Sequence, residues 1–293
     1  MAVSADKQST PSILDLINKT LELPTIPHVL VKLNEVMADP ESSADDVAKV
    51  ISLDPAVSTN ILRIVNSAYY GLQVRVSSVN LAVSIMGFNM TKKVALKAAV
   101  FSVFAKDSSA GVRCFDPKGF WQHSIYCGVL ARVLGQASAN FAGIHPEDLY
   151  ICGLLHDIGK IILLENATER LGKILDQAVQ QARPSSEVEQ EVLGFTHADV
   201  GSVLAIKWFL PEDLTIAIRY HHAPERDPFH KALSSLICLC ETLAINRGRP
   251  PYVGAQAREV PEALLQQVGL TADKLDELCT KADEEFLAQG TPW

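Results

Sequence analysis

Several histidines of this 293-residue chain fall where apolar side chains belong. Phe120, His123, Cys127, Leu130 and Leu134 recur at helical spacing, so His123 lies inside an apolar stripe. His197 shares a helical face with Val200, Gly201, Leu204 and Trp208, while His221 and His222 follow Leu214 and Ile218 toward the end of another helix. His156 and Asp157 interrupt the apolar runs 149–155 and 161–164, and Glu241 stands among Ile237, Ala244 and Ile245. Burying one unpartnered polar group costs roughly 2–7 kcal/mol, and an unpaired charge costs more. Five imidazoles and two carboxylates sent inward from five helices must therefore partner one another. Two arrangements achieve this. One is a hydrogen-bonded polar core; the other is a divalent-metal site, since neutral imidazole and carboxylate are ligands of Zn, Mn or Fe.

Consecutive positions of a continuous helix point about 100° apart. His156 and Asp157 would then hold one ion from two directions, or Asp157 would bridge two ions. Lys160 follows His156 by four residues and Asp157 by three, so it overhangs the same point. There it either meets an anionic oxygen or pairs with Asp157, its stem lying along apolar surface. His28, His145 and His230 call for no site, because His28 sits in a first turn, His145 precedes Pro146 and His230 follows Pro228 at a distance of two.

The elements that must position these groups read as helices almost throughout, and the expected fold class is all-α. Helical patterning covers residues 27–37, 44–53, 80–86, 91–106, 120–136, 146–164, 168–181, 186–193, 197–209, 211–222, 230–245, 262–268 and 272–288. Asp54-Pro55 opens one further helix, Asp as cap and Pro in the first turn, and Ser43 with Asp46 forms a capping-box variant. Residues 71–77 form the single expected extended piece. Loops at 106–119 and 246–261 divide the chain into a 21–106 lobe, a 116–245 lobe and a 246–293 tail, after an N-terminal segment 1–20. In the tail, Leu275, Leu278, Ala282 and Phe286 share a face that either covers the second lobe or forms a homodimer contact.

Hydrophobic residues make up 48% of the chain and charged residues 20%, enough apolar material for a buried core. The net charge of −8 argues against a nucleic-acid partner, which needs a surplus of Lys and Arg. The longest apolar tract, 94–105, contains Lys97 and is shorter than the ~20 residues of a membrane span, so no membrane partner is expected. No apolar run follows a basic stretch at the N-terminus, and the six cysteines include no CxxC pair. A cytoplasmic protein with reduced thiols is the expectation.

Leu154-Leu-His-Asp-Ile-Gly-Lys160 resembles the signature of the HD superfamily of metal-dependent phosphohydrolases, and Trp121-Gln-His-Ser124, His197-Ala-Asp-Val-Gly201 and His221-His222 match further positions of it. Leu23-Pro-Thr-Ile-Pro27, Asp54-Pro55, Ile61-Leu-Arg-Ile-Val-Asn-Ser-Ala-Tyr-Tyr-Gly71 and Ala82-Val-Ser-Ile-Met-Gly87 are similar to the HDOD family, an HD-related output domain of bacterial signalling. The resemblance runs from about Leu21 to Glu241. It implies an N-terminal helical lobe packed on an HD-like lobe, with metal positions at His123, His156, Asp157, His197, His221 and His222. Glu241 stands where the superfamily's last motif has Asp, one methylene longer. The cyclic di-GMP phosphodiesterases among HD proteins carry Gly-Tyr-Pro after the His doublet, and this chain has Ala223-Pro-Glu-Arg-Asp-Pro-Phe229 instead.

The expected function is a regulatory or interaction module of signal transduction, with signalling proteins as partners, a possible divalent metal and no catalysis. The alternative is a metal-dependent phosphohydrolase or phosphodiesterase acting on a nucleotide or cyclic dinucleotide. In that case Asp157 and Lys160 are the catalytic residues, a metal-activated water attacks phosphorus, and Lys160 offsets phosphate charge.

Overall fold

A computed structural model describes residues 13, 32–33, 35–37, 39–53, 55–66, 70–104, 112–208 and 210–288. The Leu23–Pro27 motif, His28, Asp54, Ser67, Tyr69 and residues 106–111 of the expected 106–119 loop lie outside them. All regular structure among the described residues is helical. The first lobe contains α1 (Ala44–Ser52), α2 (Pro55–Val65) and α3 (Val79–Phe104). Ser43 caps α1 in a full capping box, its side chain accepting from Asp46 N–H while the Asp46 carboxylate accepts from Ser43 N–H. Gly87 interrupts α3 at φ 74°, ψ 163°, a conformation that a side chain disfavours, so the chain turns between the two expected stretches.

Residues 71–77 are not a strand. The Asn66 carboxamide takes the place of a partner strand, its Nδ2 donating to Val76 O at 2.7 Å and its Oδ1 accepting from Val76 N at 2.7 Å. This pairing extends the segment and buries Val76 against the lobe core of Leu33, Ile51, Val57, Ile61 and Val83. The side chain satisfies the backbone, so no period-2 sequence pattern was required.

The second lobe is built around α4 (Pro117–Ala137), which Asp116 caps by accepting from Lys118 and Gly119 N–H. There follow α5 (Pro146–Leu155), α6 (Ile158–Asn166), α7 (Thr168–Gln181), α8 (Ser185–Leu193), α9 (His197–Lys207), α10 (Glu212–Tyr220) and α11 (Lys231–Asn246). The single helix expected at 146–164 is two. His156 keeps helical dihedrals, but Asp157 leaves them at φ −97°, ψ 9°, and the helix restarts at Ile158. The helix expected to include His221 and His222 ends at Tyr220. Both chemistry-bearing pairs therefore sit at helix ends.

Two close approaches fix these ends. A Cβ on Gly153 of α5 would overlap the Cys127 backbone of α4, and one on Gly159 of α6 would overlap the His197 carbonyl and Gly201 of α9. The 156–157 joint is thereby pressed between the helices that carry His123 and His197. Lys93 of α3 pairs with Asp148 of α5 at 2.7 Å, linking the lobes.

The tail contributes α12 (Glu262–Val268) and α13 (Ala272–Ala288), and it covers the second lobe. Cys279 and Ala282 are buried, Phe286 meets Tyr126 edge-on with centroids 5.4 Å apart, and Tyr126 Oη donates to Asp283 at 2.8 Å. No helix among the described residues is long and apolar enough to cross a membrane.

Candidate metal centre

Four imidazoles meet at the 156–157 joint, each held by its Nδ1. His123 Nδ1 lies 2.7 Å from the Arg249 carbonyl, His156 Nδ1 2.8 Å from Gly153 O, and His221 Nδ1 2.7 Å from Ile218 O. A carbonyl oxygen only accepts, so each Nδ1 carries the proton and each Nε2 of the neutral ring presents a lone pair. His197 Nδ1 is held by Glu189 Oε2 at 2.6 Å, and the same carboxylate oxygen accepts from His197 N–H at 2.7 Å. Acceptors of this kind orient metal-binding imidazoles and raise their basicity.

The four Nε2 atoms converge on Asp157. Its Oδ2 faces His156 at 3.5 Å and His123 at 3.8 Å; its Oδ1 faces His197 at 3.0 Å and His221 at 3.6 Å. His222 joins the second group, its Nε2 2.9 Å from His197 Nε2 and its Nδ1 3.2 Å from Glu241 Oε2. Glu241 also brings a ligand atom within 4.8 Å of those of His156 and Asp157, so the longer carboxylate still reaches the group. Lys160 Nζ donates to Asp157 Oδ1 at 2.6 Å and lies 3.2 Å from His197 Nε2. All of these side chains are buried save His222, whose side chain is 17% exposed.

The two faces of Asp157 differ in how far protons alone satisfy them. On the Oδ1 face, Lys160 supplies donors. Burial opposes a charge on His197, yet Glu189 and Asp157 overcome it and raise its pKa to about 9, so this ring also carries a proton to give. On the Oδ2 face, burial lowers His123 and holds His156 at about 3. Their Nε2 lone pairs confront each other at 3.4 Å, and Asp157 Oδ2 is buried without a hydrogen-bond donor. Three acceptors around one point with no proton among them are the surroundings of a cation. Burial likewise opposes charge on the carboxylates, but Lys160 and the imidazoles hold Asp157 well below the ordinary range, and His197 with Lys160 holds Glu189 at about 2. Glu241 is also lowered by His222 against the cost of burial. Three carboxylates thus face the Lys160 ammonium and the His197 imidazolium, a net negative balance that favours a bound cation. The residues fit a divalent metal.

The HDOD domain profile matches residues 23–224. The chain belongs to the HDOD domain family. An uncharacterized protein of Treponema pallidum (strain Nichols) is 26% identical over 285 residues, 93% of this chain and 53% of that protein. Ribonuclease Y of Aquifex aeolicus (strain VF5) is 28% identical over 186 residues, 61% of this chain and 26% of the enzyme. The chain spans about half the length of the first and about a quarter of the second. A crystal structure from Marinobacter aquaeolei VT8, of a protein named for a proposed role in signal transduction, superposes with a TM-score of 0.71 at 25% identity, covering 93% of this chain and 60% of that one.

This HDOD domain brings together His123, His156, Asp157, Lys160, His197, His221, His222 and Glu241, every site residue expected from the sequence. Glu241 lies beyond the profile match. His145 and His230 stay apart: His145 Nδ1 accepts from Glu147 N–H as a helix cap, and His230 faces Asp213 at the surface. The sequence reading missed Glu189, which sits in an alternating run with Glu187 and Glu191. Its one signal was position, four residues from both Ser185 and Leu193 on the buried face of α8. Cys127 was seen only as an apolar residue of the His123 stripe, yet its Sγ lies 3.6 Å from His123 Nε2.

Proposed function

We propose that this HDOD domain is a regulatory module of signal transduction whose HD-like lobe holds a divalent cation as part of its structure. The observation that carries this reading is the enclosure of the Asp157 Oδ2 face. His123, His156 and Asp157 are fully buried, and the acceptors they turn on one another lack a proton. A structural metal site is closed, whereas a catalytic one keeps a position open. Lys160 is spent on Asp157 instead of reaching for an outside anion. When bound, a divalent cation supplies positive charge that ties α4, α5 and α6 together and acts as a Lewis acid. His123, His156 and Asp157 would hold it, with Glu241 beside them.

The partners are signalling proteins of the same cytoplasm. The first lobe exposes Leu53, Leu72, Val74, Leu81 and Ile85, an apolar surface of the kind that protein partners cover. The relative named for signal transduction supports this class.

A metal-dependent phosphohydrolase is the second reading. It is favoured by Asp157 turning one oxygen to each histidine group, which suits paired ions, and by the likeness to ribonuclease Y. Metal analysis of the purified chain, followed by assays on nucleotides, cyclic dinucleotides and RNA with Mn, Fe or Zn added, separates the two. Metal without turnover is the expected outcome. Turnover that Asp157→Ala abolishes would overturn the regulatory reading.

A further inference from the structure

Three imidazoles of the pocket are held by backbone carbonyls, and one of the three holders is unlike the others. Gly153 O and Ile218 O each lie three residues before the ring they hold, so His156 and His221 are fixed by their own helix ends. His123 is fixed by Arg249 O, 126 positions away in the segment that follows α11. That segment is a closed loop. The Asn246 carboxamide pinches its ends, Nδ2 donating to Arg258 O at 2.7 Å and Oδ1 accepting from Arg258 N–H at 2.8 Å, twelve positions apart in the chain. Gly248 and Gly254 turn it at φ 75° and 92°, conformations that a side chain disfavours. Compact loops with adjoining ends are frequently functional. The inner side of this one faces the pocket. Tyr252 is buried, its hydroxyl accepts from Ser185 N–H of α8, and it lies within electrostatic reach of Lys160 and Glu241. Val253 N–H donates to Cys114 O at 2.8 Å.

We propose that residues 247–257 are the gate of the Oδ2 face, the way by which a cation reaches and leaves His123, His156 and Asp157. This rests on the metal-centre reading above and goes further by assigning the route and what sets its rate. All three side chains are fully buried, so no ion arrives without an opening. The helices resist that motion. Gly153 of α5 lies against the Cys127 backbone and Gly159 of α6 against the His197 carbonyl, which interlocks α4, α5, α6 and α9. The loop is attached by its rim hydrogen bonds, by Tyr252 and by partly exposed ion pairs from Arg247 and Arg249 to Asp283. Segments held in this way open before packed helices do. Lifting the loop withdraws the Arg249 carbonyl and frees one ring only, since His156 and His221 keep their own holders. The partly exposed His222 belongs to the other face of Asp157, where Lys160 holds Oδ1. A gate acts in both directions: a larger open fraction speeds binding and release alike and leaves affinity nearly unchanged.

The test follows zinc on the full chain. Uptake, and release into excess chelating dye, are timed for the wild type, for Asn246→Ala, which unpins the loop, and for Asn66→Ala, which removes the matching carboxamide pairing in the first lobe. Asn246→Ala should speed both rates by about tenfold, for two hydrogen bonds lost, and change the dissociation constant by less than about twofold. Asn66→Ala should leave both rates as they are. Hydrogen exchange of the zinc-loaded wild type needs no variant to fold. At a pH where each opening leads to exchange, the amides of 247–257 should exchange at least as fast as zinc leaves, and ahead of those of α4, α5 and α6. Unchanged rates in Asn246→Ala, a change in release alone, or zinc that leaves the wild type faster than the loop opens would overturn the gate while leaving the metal centre in place. Failure of the wild type to bind zinc would overturn both.

Discussion

The two lobes of the molecule are held together by different means. The first has an apolar core with Leu33, Val47, Ile51, Ile61 and Val83 at its centre and Thr91 as its one buried polar residue among those described. The second wraps a larger apolar shell around His123, His156, Asp157, Lys160, Glu189, His197, His221 and Glu241. A lobe of the first kind is stabilised by area removed from water and tolerates change one side chain at a time. A lobe of the second kind depends on charges that are affordable only as a complete set, because each member removed leaves another buried without its partner. The difference teaches where this protein is sensitive: the first lobe to volume, the second to charge.

The sharpest way to break the comparison is a pair of substitutions. Asp157→Ala strands the Lys160 ammonium in the core and should cost the second lobe about 3–5 kcal/mol together with its metal. Ile61→Ala should cost the first lobe about 2–5 kcal/mol and leave metal content unchanged. Trp121 and Trp208 are buried in the second lobe and the first contains no Trp, so Trp fluorescence set against far-ultraviolet circular dichroism resolves the two. Loss of metal in Ile61→Ala would show that the lobes stand or fall together.

A smaller effect comes from Gly159→Ala. It removes no ligand, but its methyl group meets the His197 carbonyl, and the overpacking should cost about 1–3 kcal/mol. Metal affinity measured by competition with a chelating dye should fall as α6 is pushed from α9. An unchanged affinity would mean that the close approach of these helices does not set the pocket.

A further effect, read from solution conditions instead of a substitution, is the response of the chelator-treated protein to pH. Burial holds His156 near 3 and His222 near 4, against 6.5 for a free histidine. Between about 4 and 6.5 the unfolded chain takes up protons that the pocket refuses, so stability falls as pH falls, by about 1.4 kcal/mol per unit for each group at most. His197, burial notwithstanding, is raised to about 9 by Glu189 and Asp157, so its contribution is complete below 6.5 and is lost as pH rises toward 9. The Trp-monitored transition should therefore pass through a maximum near pH 6.5. The described residues of the first lobe include no histidine, and its transition should be flat over that range. A common profile for both lobes would erase the distinction.

The site was legible in the sequence because polar residues interrupted apolar stripes, and a stripe is a statement about direction. His123, His197 and Glu241 could be assigned inward positions on that ground alone. The break at Asp157 was not legible: apolar residues surround it on every helical face, so periodicity continues through the joint as if the helix did. Glu189 was hidden by Glu187 and Glu191, whose charges suggest a solvated face although one of the three points inward. The Asn66 pairing with Val76 left no trace, because one carboxamide does the work of a strand and carries no pattern. The tail's amphipathic face fitted two surfaces, with packing on the same chain favoured, and Phe286 and Asp283 of that helix meet Tyr126 of α4.

Arg249 joins two distant parts of the second lobe. Its carbonyl steadies the His123 ring, while its guanidinium lies 4.1 Å from the Tyr126 ring centre, 4.9 Å from that of Phe286 and 3.2 Å from Asp283. One residue thus ties the closing helix to an imidazole at the heart of the molecule. A truncation ahead of Ala272, or a fusion that levers α13 off its seat, unclasps that residue and slackens the ring it steadies. Edits to the C-terminal end are edits to the interior.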